Sequence, residues 1–366
     1  MSRECPRVAI LAYSPAPYRV ELFDEIARRG RIHLTGLYVH RQEPGRLWSE
    51  VPMAHEAVYL QEDAAGKALQ TVQEADFAVI SFFDHAKARA LWRARIDTGN
   101  PWAFWGEKPG AQRRSFLGRV ARRWRLRDLV SSNAPVWCIG SWAEAAYRAE
   151  FGHERAVSNL PYFSDLGRFK TQRAKGGRRL LFSGSLIQRK GVDLLLRAFL
   201  QLADVFPDIT LSLAGSGPME AHLRQEASPL GGRVLFTGFV PWDQLPALYA
   251  EHDLLAVPSR YDGWGMVVPE GLASGMPVIC SDQVGAGHDL VKPGINGWIC
   301  PAGNVDALSA AIQQAGRLSV DEWQTMSAAA TESVAGHQLR DGAERLEALC
   351  FKALASWKAG GVSSRQ

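Results

Sequence analysis

The chain has 366 residues, beyond the size at which one hydrophobic core usually stops growing, so two domains of ordinary size are expected. Hydrophobic residues make up 46% and charged residues 22%, which excludes a disordered chain and predicts a soluble globular protein with a large core. The formal net charge of +4 is too small to mark a nucleic-acid binder, and the five scattered cysteines include no Cys-x-x-Cys pair, which argues against a disulfide framework or a zinc site.

No run reaches the roughly 18 consecutive apolar residues that a bilayer span needs. The segment Met1–Arg7 lacks the apolar core of a signal peptide, so a cytoplasmic location is expected. Val8–Tyr13 reads as an apolar strand, followed by the loop Ser14–Arg19 and a helix over Arg19–Arg29. Apolar runs recur at Ile32–Val39, Phe77–Phe82, Trp102–Trp105 and Val136–Ile139, each short enough for a buried parallel strand. A first doubly wound α/β domain follows over residues 1–165. The pattern breaks between Val157 and Gly177, ending in the polar tract Lys170–Gly177, and an interdomain linker is read there, set at 166–177. It restarts with strand Arg179–Ser183, helix Val192–Val205, strand Ile209–Ala214, helix Met219–Ala227 and strands at Arg233–Thr237, Asp253–Val257 and Pro277–Cys280. A second α/β domain is thus expected over 178–340, with a C-terminal helix and frayed tail over 341–366.

Chemistry concentrates in Val257–Cys280, which reads as strand, loop, short helix and strand, with Pro269 at the first helical position. Gly263 and Gly265 let a ligand approach the loop backbone, and free N–H groups at the helix start suit a phosphate. Asp262 and Glu270 bracket the loop, and carboxylates accept hydrogen bonds from the hydroxyl pairs of sugars and ribose. Spacing alone leaves a second reading open, in which Glu270 complements the helix dipole and Asp262 closes a local turn. Upstream, Gln188-Arg-Lys190-Gly191 forms a basic turn before a helix, where Lys190 is placed to neutralise a diphosphate; alone, such turns are usually just solvated. The strand ending at Ala214 enters Gly215-Ser-Gly217-Pro218, a turn that a doubly wound sheet places at its ligand crevice.

The Asp262–Glu270 stretch resembles the carboxylate-x7-carboxylate motif of the retaining glycosyltransferases of family 4. That motif is usually Glu-x7-Glu; Glu270 matches, and Asp262 is shorter by one methylene. The run from Phe182 to Gly191 resembles the family's Gly-Arg-x4-Lys-Gly element, with Ser185 at the usual arginine position and Arg189 as a candidate replacement. Gly215–Pro218 resembles its Gly-x-Gly-Pro turn, and Thr237–Val240, with Asp243, Leu245 and Tyr249 beyond, resembles the segment that packs along the nucleotide base. The resemblance runs from the linker to about Val305, about half the chain.

It implies the GT-B fold, two Rossmann-like doubly wound domains facing each other across a cleft, with C-terminal helices returning to the N-domain. It implies that Glu270 holds the ribose of a nucleotide-sugar, that Asp262 contacts the hydroxyls of the transferred sugar, and that Lys190 clamps the diphosphate. Backbone groups of Gly265, Met266 and Val267 would meet the donor, with Gly184, Arg189, Gly215, Gly217, Phe239, Val240, Gly263 and Trp264 completing its site. No Asp-x-Asp motif occurs, so neither a metal nor a cofactor is expected.

In the first half, Tyr18 and Arg19 are candidates for an N-domain loop near donor and acceptor, or they simply belong to the following helix. Family relatives carry a histidine after an N-domain strand; here Glu107 and Lys108 follow the aromatic run Trp102–Trp105, and Glu107 ranks ahead of His85 as a catalytic candidate beside Asp262 and Lys190. Seven arginines between Arg113 and Arg127 alternate with apolar residues as in a basic amphipathic helix. That stretch suits peripheral contact with an anionic membrane and a saccharide or lipid-linked acceptor, or else a core-facing helix with a solvated basic face. A nucleic-acid binder would use the same arginines but leaves the Asp262–Glu270 loop unexplained, and no nucleic acid is expected. A Rossmann oxidoreductase would need Gly-x-Gly-x-x-Gly after a first strand, which neither half contains.

Overall fold

The computed structural model describes residues 5–42, 52–108, 116–171 and 178–360. The chain forms two compact units, one ending at Asp165 and resuming at Gln338, the other spanning Leu166–His337.

The first unit runs β1 (Arg7–Ala12), α1 (Pro17–Arg29), β2 (His33–Tyr38), β3 (Glu56–Tyr59), α2 (Lys67–Glu74), β4 (Phe77–Ile80), α3 (Ala86–Asp97), β5 (Trp102–Gly106), α4 (Phe116–Arg125), α5 (Arg127–Val130), β6 (Val136–Cys138), α6 (Ser141–Phe151) and β7 (Val157–Asn159). Its strands form one seven-stranded sheet in the order β3-β2-β1-β4-β5-β6-β7. Every pairing is parallel. The central strands are apolar on both faces because helices cover both, and each fully buried Val, Ile, Leu or Phe contributes about 1.5–3 kcal/mol. Helix α1 starts with Pro17 in its first turn and ends at Gly30, whose left-handed backbone (φ 62°) returns N–H bonds to Ile26 and Ala27.

The second unit runs β8 (Arg179–Ser183), α7 (Val192–Leu200), β9 (Thr210–Ala214), α8 (Glu220–Ala227), β10 (Val234–Gly238), α9 (Leu245–Ala250), β11 (Leu254–Val257), α10 (Val267–Ala273), β12 (Val278–Ser281), α11 (Gly285–Leu290), β13 (Gly297–Cys300), α12 (Val305–Gly316) and α13 (Val320–Ser333). Its six strands are also all parallel, ordered β10-β9-β8-β11-β12-β13. A final helix, α14 (Leu339–Gly360), packs on α1 of the first unit. Arg29 Nε lies 2.8 Å from Oε1 of the fully buried Glu347, and Arg31 adds a second contact at 3.3 Å. The return of the C-terminal helix to the N-terminal unit is as expected.

Several readings of the chain need correction. Val157–Asn159, taken as linker, is a strand paired with β6; its Ser and Asn disguise it, and three residues are too few to show a periodicity. Leu166–Phe169, taken as the start of the polar linker, is a 3₁₀ turn whose Leu166 and Phe169 are buried in the second unit. β3, only four residues long, and α2, short and rich in polar residues, were not foreseen. The basic stretch is not one helix but two, α4 and α5, separated at Leu126, and Arg113 and Arg114 lie outside the described residues. The tail 361–366 also lies outside them. Cys138, Cys280, Cys300 and Cys350 are buried hydrophobes, and burial pushes their thiols up.

Candidate active site

In a doubly wound sheet the ligand crevice opens at the carboxyl ends of the two strands where the order reverses. In the second unit those strands are β8 and β11, whose following loops carry Lys190 and Asp262. The two side chains meet there, with Lys190 Nζ 2.5 Å from Asp262 Oδ2 and side-chain exposures of 17% and 12%. Mostly desolvated, this pair is electrostatically stronger than a surface ion pair.

The loops that hold the pair are bound to one another. Arg260 grips both oxygens of Asp193 at 2.7 and 2.6 Å and the Gln188 carbonyl at 2.6 Å. Arg189 donates to the Tyr261 carbonyl at 2.9 Å, and its own carbonyl accepts from Arg260 N. Two glycines make this closeness possible. Gly191 has φ 70°, and a Cβ there would collide with the Pro258 carbonyl. At Gly215 (φ 141°) a Cβ would collide with the Gly184 carbonyl. The turn Gly215–Gly217 is tied to the Gly184–Leu186 loop by Gly184 N to Ala214 O and Leu186 N to Ser216 O, both 2.9 Å.

The loop 262–266 is fixed from its other side. Asp262 N donates to Gln283 O at 2.8 Å, Gly285 N to Asp262 O at 3.1 Å, and Ala286 N to Trp264 O at 2.7 Å. Gly265 takes φ 90° in this turn, and Gly263 is buried beneath α11. Met266 caps α10, which therefore starts at Val267 rather than at Pro269. Pro269 sits in the first turn, where its missing N–H costs nothing. Met266 and Val267 remain partly exposed. Trp264 is 1% exposed, backbone included, and its ring stacks on His337 at 5.6 Å, so this expected donor contact supports the loop from within instead.

Glu270, on the first turn and a half of α10, is 6% exposed, and its Oε2 accepts a hydrogen bond of 3.0 Å from the Tyr249 hydroxyl. Tyr249 had been placed along a nucleotide base. It is instead fully buried on α9, edge-on to Phe169 at 5.2 Å. Burial, and then the Glu270 carboxylate, push its hydroxyl well above the ordinary tyrosine range, so it stays a donor. Phe239 and Val240 lie half-buried just beyond β10.

The first-unit candidates separate into two groups. At the carboxyl end of β5, Glu107 is exposed, and its Oε1 accepts from the Tyr162 hydroxyl at 3.2 Å. Tyr162, hidden in the supposed linker, also lies against Tyr18, with ring centroids 4.7 Å apart and tilted by 44°. Arg19 is a correction: it is 6% exposed inside α1, donates to the Ser14 carbonyl at 2.7 Å, and is internal fastening rather than a loop contact. The second group stands at the first unit's own reversal, between β1 and β4. His85 precedes α3, with its ring 5.9 Å from His40. Tyr13 lies against His40 at 4.9 Å and Phe82 at 4.8 Å. Tyr13 and His40 were missed; their places directly after β1 and β2 were the available signal.

Residues 164–332, nearly the whole second unit, match the sequence model of the family glycosyl transferases group 1. The chain is also 31% identical over 210 residues to a GDP-mannose-dependent alpha-(1-6)-phosphatidylinositol monomannoside mannosyltransferase of Mycolicibacterium smegmatis, covering 52% of this chain and 55% of that one. It thus spans about half the length of that relative. A 2-deoxystreptamine glucosyltransferase of Streptomyces kanamyceticus is 33% identical over 106 residues, 28% of this chain and 27% of its own. Among solved structures, Anabaena HepE in complex with UDP and glucose superposes with a TM-score of 0.74 at 19% identity, covering 95% of this chain and 100% of HepE. Sucrose-phosphate synthase from Thermosynechococcus elongatus gives 0.73 at 20% identity, over 96% and 100% of the two chains. The fold is GT-B. Within it, the family match covers the unit that carries Lys190, Asp262 and Glu270.

Proposed function

We propose that this chain is a retaining glycosyltransferase that takes a sugar from a nucleoside-diphosphate donor bound at the β8/β11 reversal of the second unit. The observation that carries the reading is the Lys190–Asp262 pair at that crevice, with the buried carboxylate of Glu270 on the helix that follows. Lys190 stabilises the departing diphosphate together with backbone N–H groups, which is electrostatic stabilisation where charge develops and needs no bound metal. Asp262 receives hydroxyls of the transferred sugar, and Glu270 the ribose. Arg189 lies beside Lys190 on the same turn and contributes positive charge in place of the arginine that Ser185 does not supply. The group-1 match, the GDP-mannose dependence of the Mycolicibacterium relative and the UDP and glucose in the HepE structure all favour a nucleotide-sugar donor.

The acceptor, a saccharide or a lipid-linked saccharide, is met by the first unit, with Glu107 as the candidate catalytic group, Tyr18 linked to it through Tyr162, and His85 in the separate aromatic group between β1 and β4. Contact with an anionic membrane runs through α4 and α5, where Trp124 is 65% and Val120 51% exposed and Arg123, Arg125 and Arg127 are exposed beside them. Arg122 is not part of that face; it is buried and paired with Glu150. Among the described residues no helix is long and apolar enough to cross a membrane.

A thermal-shift screen against UDP-, GDP- and other nucleotide-sugars tests the donor reading, because a ligand that binds only the folded state raises its melting temperature. One donor class is expected to stabilise the chain, Lys190→Ala to abolish the shift and transfer, and Glu270→Ala to reduce both; undiminished transfer in either variant sinks the site. Retention is checked by the anomeric configuration of the product. For the membrane contact, sedimentation with phosphatidylglycerol vesicles is expected to exceed that with phosphatidylcholine and to fall in Trp124→Ala; equal partition rejects it.

A further inference from the structure

A carboxylate at 6% exposure, like that of Glu270, has lost most of its hydration and needs fixed donors. One is identified by geometry, the hydroxyl of Tyr249 at 3.0 Å from Oε2. A hydroxyl-to-carboxylate hydrogen bond therefore links α9 to α10. Packing does not require it: at 0% exposure, with Phe169 edge-on to its ring, the site would accept a phenylalanine of nearly the same shape. What the hydroxyl adds is direction. A glutamate side chain has three rotatable bonds, and a hydrogen bond on one oxygen fixes the plane in which the carboxylate is presented.

From this arrangement we infer that Tyr249 is a positioning residue of the donor site, holding Glu270 in the orientation that recognises the vicinal hydroxyls of the donor's ribose. The inference rests on the proposed donor-binding role of Glu270 and goes beyond it by assigning the origin of sugar selectivity in the nucleotide to a fully buried residue behind that carboxylate. Because burial keeps the tyrosine protonated far above neutral pH, the contact persists across the working range. A tyrosine of purely structural importance would weaken every nucleotide equally when altered. A positioning tyrosine affects only those that carry the ribose hydroxyl pair.

The experiment compares binding of UDP and GDP with that of their 2′,3′-dideoxy counterparts to the full chain, by calorimetry. The unaltered protein is expected to prefer the ribose form by roughly tenfold or more, the scale on which a site built for hydroxyls rejects an analogue lacking them. Tyr249→Phe is expected to cut that preference to about threefold or less, mainly by weakening the ribose form, and to add nothing further in a Glu270→Ala background. A full preference retained in Tyr249→Phe, and lost in Glu270→Ala, overturns the positioning role while leaving the donor site intact. No loss in Glu270→Ala removes the ribose role of Glu270, and that of Tyr249 with it. Should Tyr249→Phe fail to fold, Tyr249→Met, a flexible apolar side chain that also removes the hydroxyl, takes its place, and an unchanged preference there counts against the inference.

Discussion

The two units share a parallel doubly wound sheet, yet the crevices at their strand-order reversals are built from opposite materials. Between β8 and β11 the walls are backbone and charge: loops drawn together over Gly191 and Gly215, an ion pair at 2.5 Å, and a buried carboxylate behind it. Between β1 and β4 they are rings, with Tyr13, Phe82, His40 and His85 following three neighbouring strands. A rigid, charged, amide-rich crevice suits phosphate and hydroxyls held to a fixed geometry. An aromatic and imidazole crevice suits the apolar faces and edge hydroxyls of a sugar ring, with looser directional demands. Under the proposed function, this difference divides the labour, strict toward a donor and permissive toward an acceptor.

The strict side breaks most sharply at Gly191. Alanine there must adopt φ 70° with its Cβ against the Pro258 carbonyl, so one loop of the crevice has to move. Strain and clash together are expected to cost about 3 kcal/mol or more and to lower donor affinity by at least about 100-fold, because Lys190 is the adjacent residue. Melting and donor titration of Gly191→Ala check this; wild-type values for both would show that the loops are not held by their close approach.

Next in size is a change of charge without a change of shape. Any anion that takes a hydrogen bond from Lys190 Nζ lies within about 5.5 Å of Asp262 Oδ2, because the pair is 2.5 Å apart, and at that distance two like charges repel appreciably. Asp262→Asn is therefore expected to bind the nucleoside diphosphate product about tenfold more tightly, while transfer falls by about 100-fold for want of the sugar contact. Calorimetry with UDP and GDP beside steady-state kinetics separates the two effects. Weaker diphosphate binding in this variant would mean that Asp262 mainly places the lysine rather than opposing the phosphate.

These expectations also mark what the sequence could and could not reveal. Lys190, Asp262 and Glu270 were legible because each lies at a fixed offset from a glycine or proline that punctuates the local fold, and anion chemistry needs such punctuation. Their mutual contact was not legible, since Lys190 and Asp262 are separated by the three helices α7, α8 and α9 and by strands that pair only in the folded sheet. Tyr249 was misread for a related reason: an apolar position on a six-residue helix looks alike whether its hydroxyl reaches solvent, a base or a buried carboxylate. The aromatic crevice was nearly silent, because Tyr13 and His40 each look like an ordinary residue after a strand. Tyr162 was obscured by prolines and serines that read as linker, although it sits 8% exposed against Tyr18 and Trp105. The basic stretch gave its composition but not its break at Leu126, nor that Arg122 faces inward.

The permissive crevice is expected to respond more mildly. Replacing His40 or His85 by alanine removes a ring edge and one hydrogen-bonding nitrogen, which corresponds to about a three- to tenfold rise in acceptor KM with donor hydrolysis unchanged. Acceptor-dependent kinetics of both variants test this. A matching loss of donor hydrolysis would place these imidazoles in the donor's path and end the contrast between the two crevices.

The smallest effect concerns the stability of the first unit, remote from both crevices in sequence role. His55 is 5% exposed, with Nδ1 at 2.5 Å from Asp24 Oδ1 and Nε2 at 2.8 Å from the Tyr38 hydroxyl. Burial lowers its pKa, and the hydrogen bond and charge of Asp24 offset that only in part. A histidine whose folded pKa lies below the unfolded value near 6.5 is held neutral by the fold. Its contribution is complete above about pH 6.5 and diminishes as the pH falls, because the unfolded chain takes up the proton first. Melting of the full chain is thus expected to drop by about 3 °C more between pH 7.5 and 5.5 than in His55→Gln, which cannot titrate. Equal pH profiles would mean that Asp24 holds the imidazolium as readily as the imidazole, and that the site is an ion pair instead of a neutral hydrogen-bonded bridge from α1 to β2.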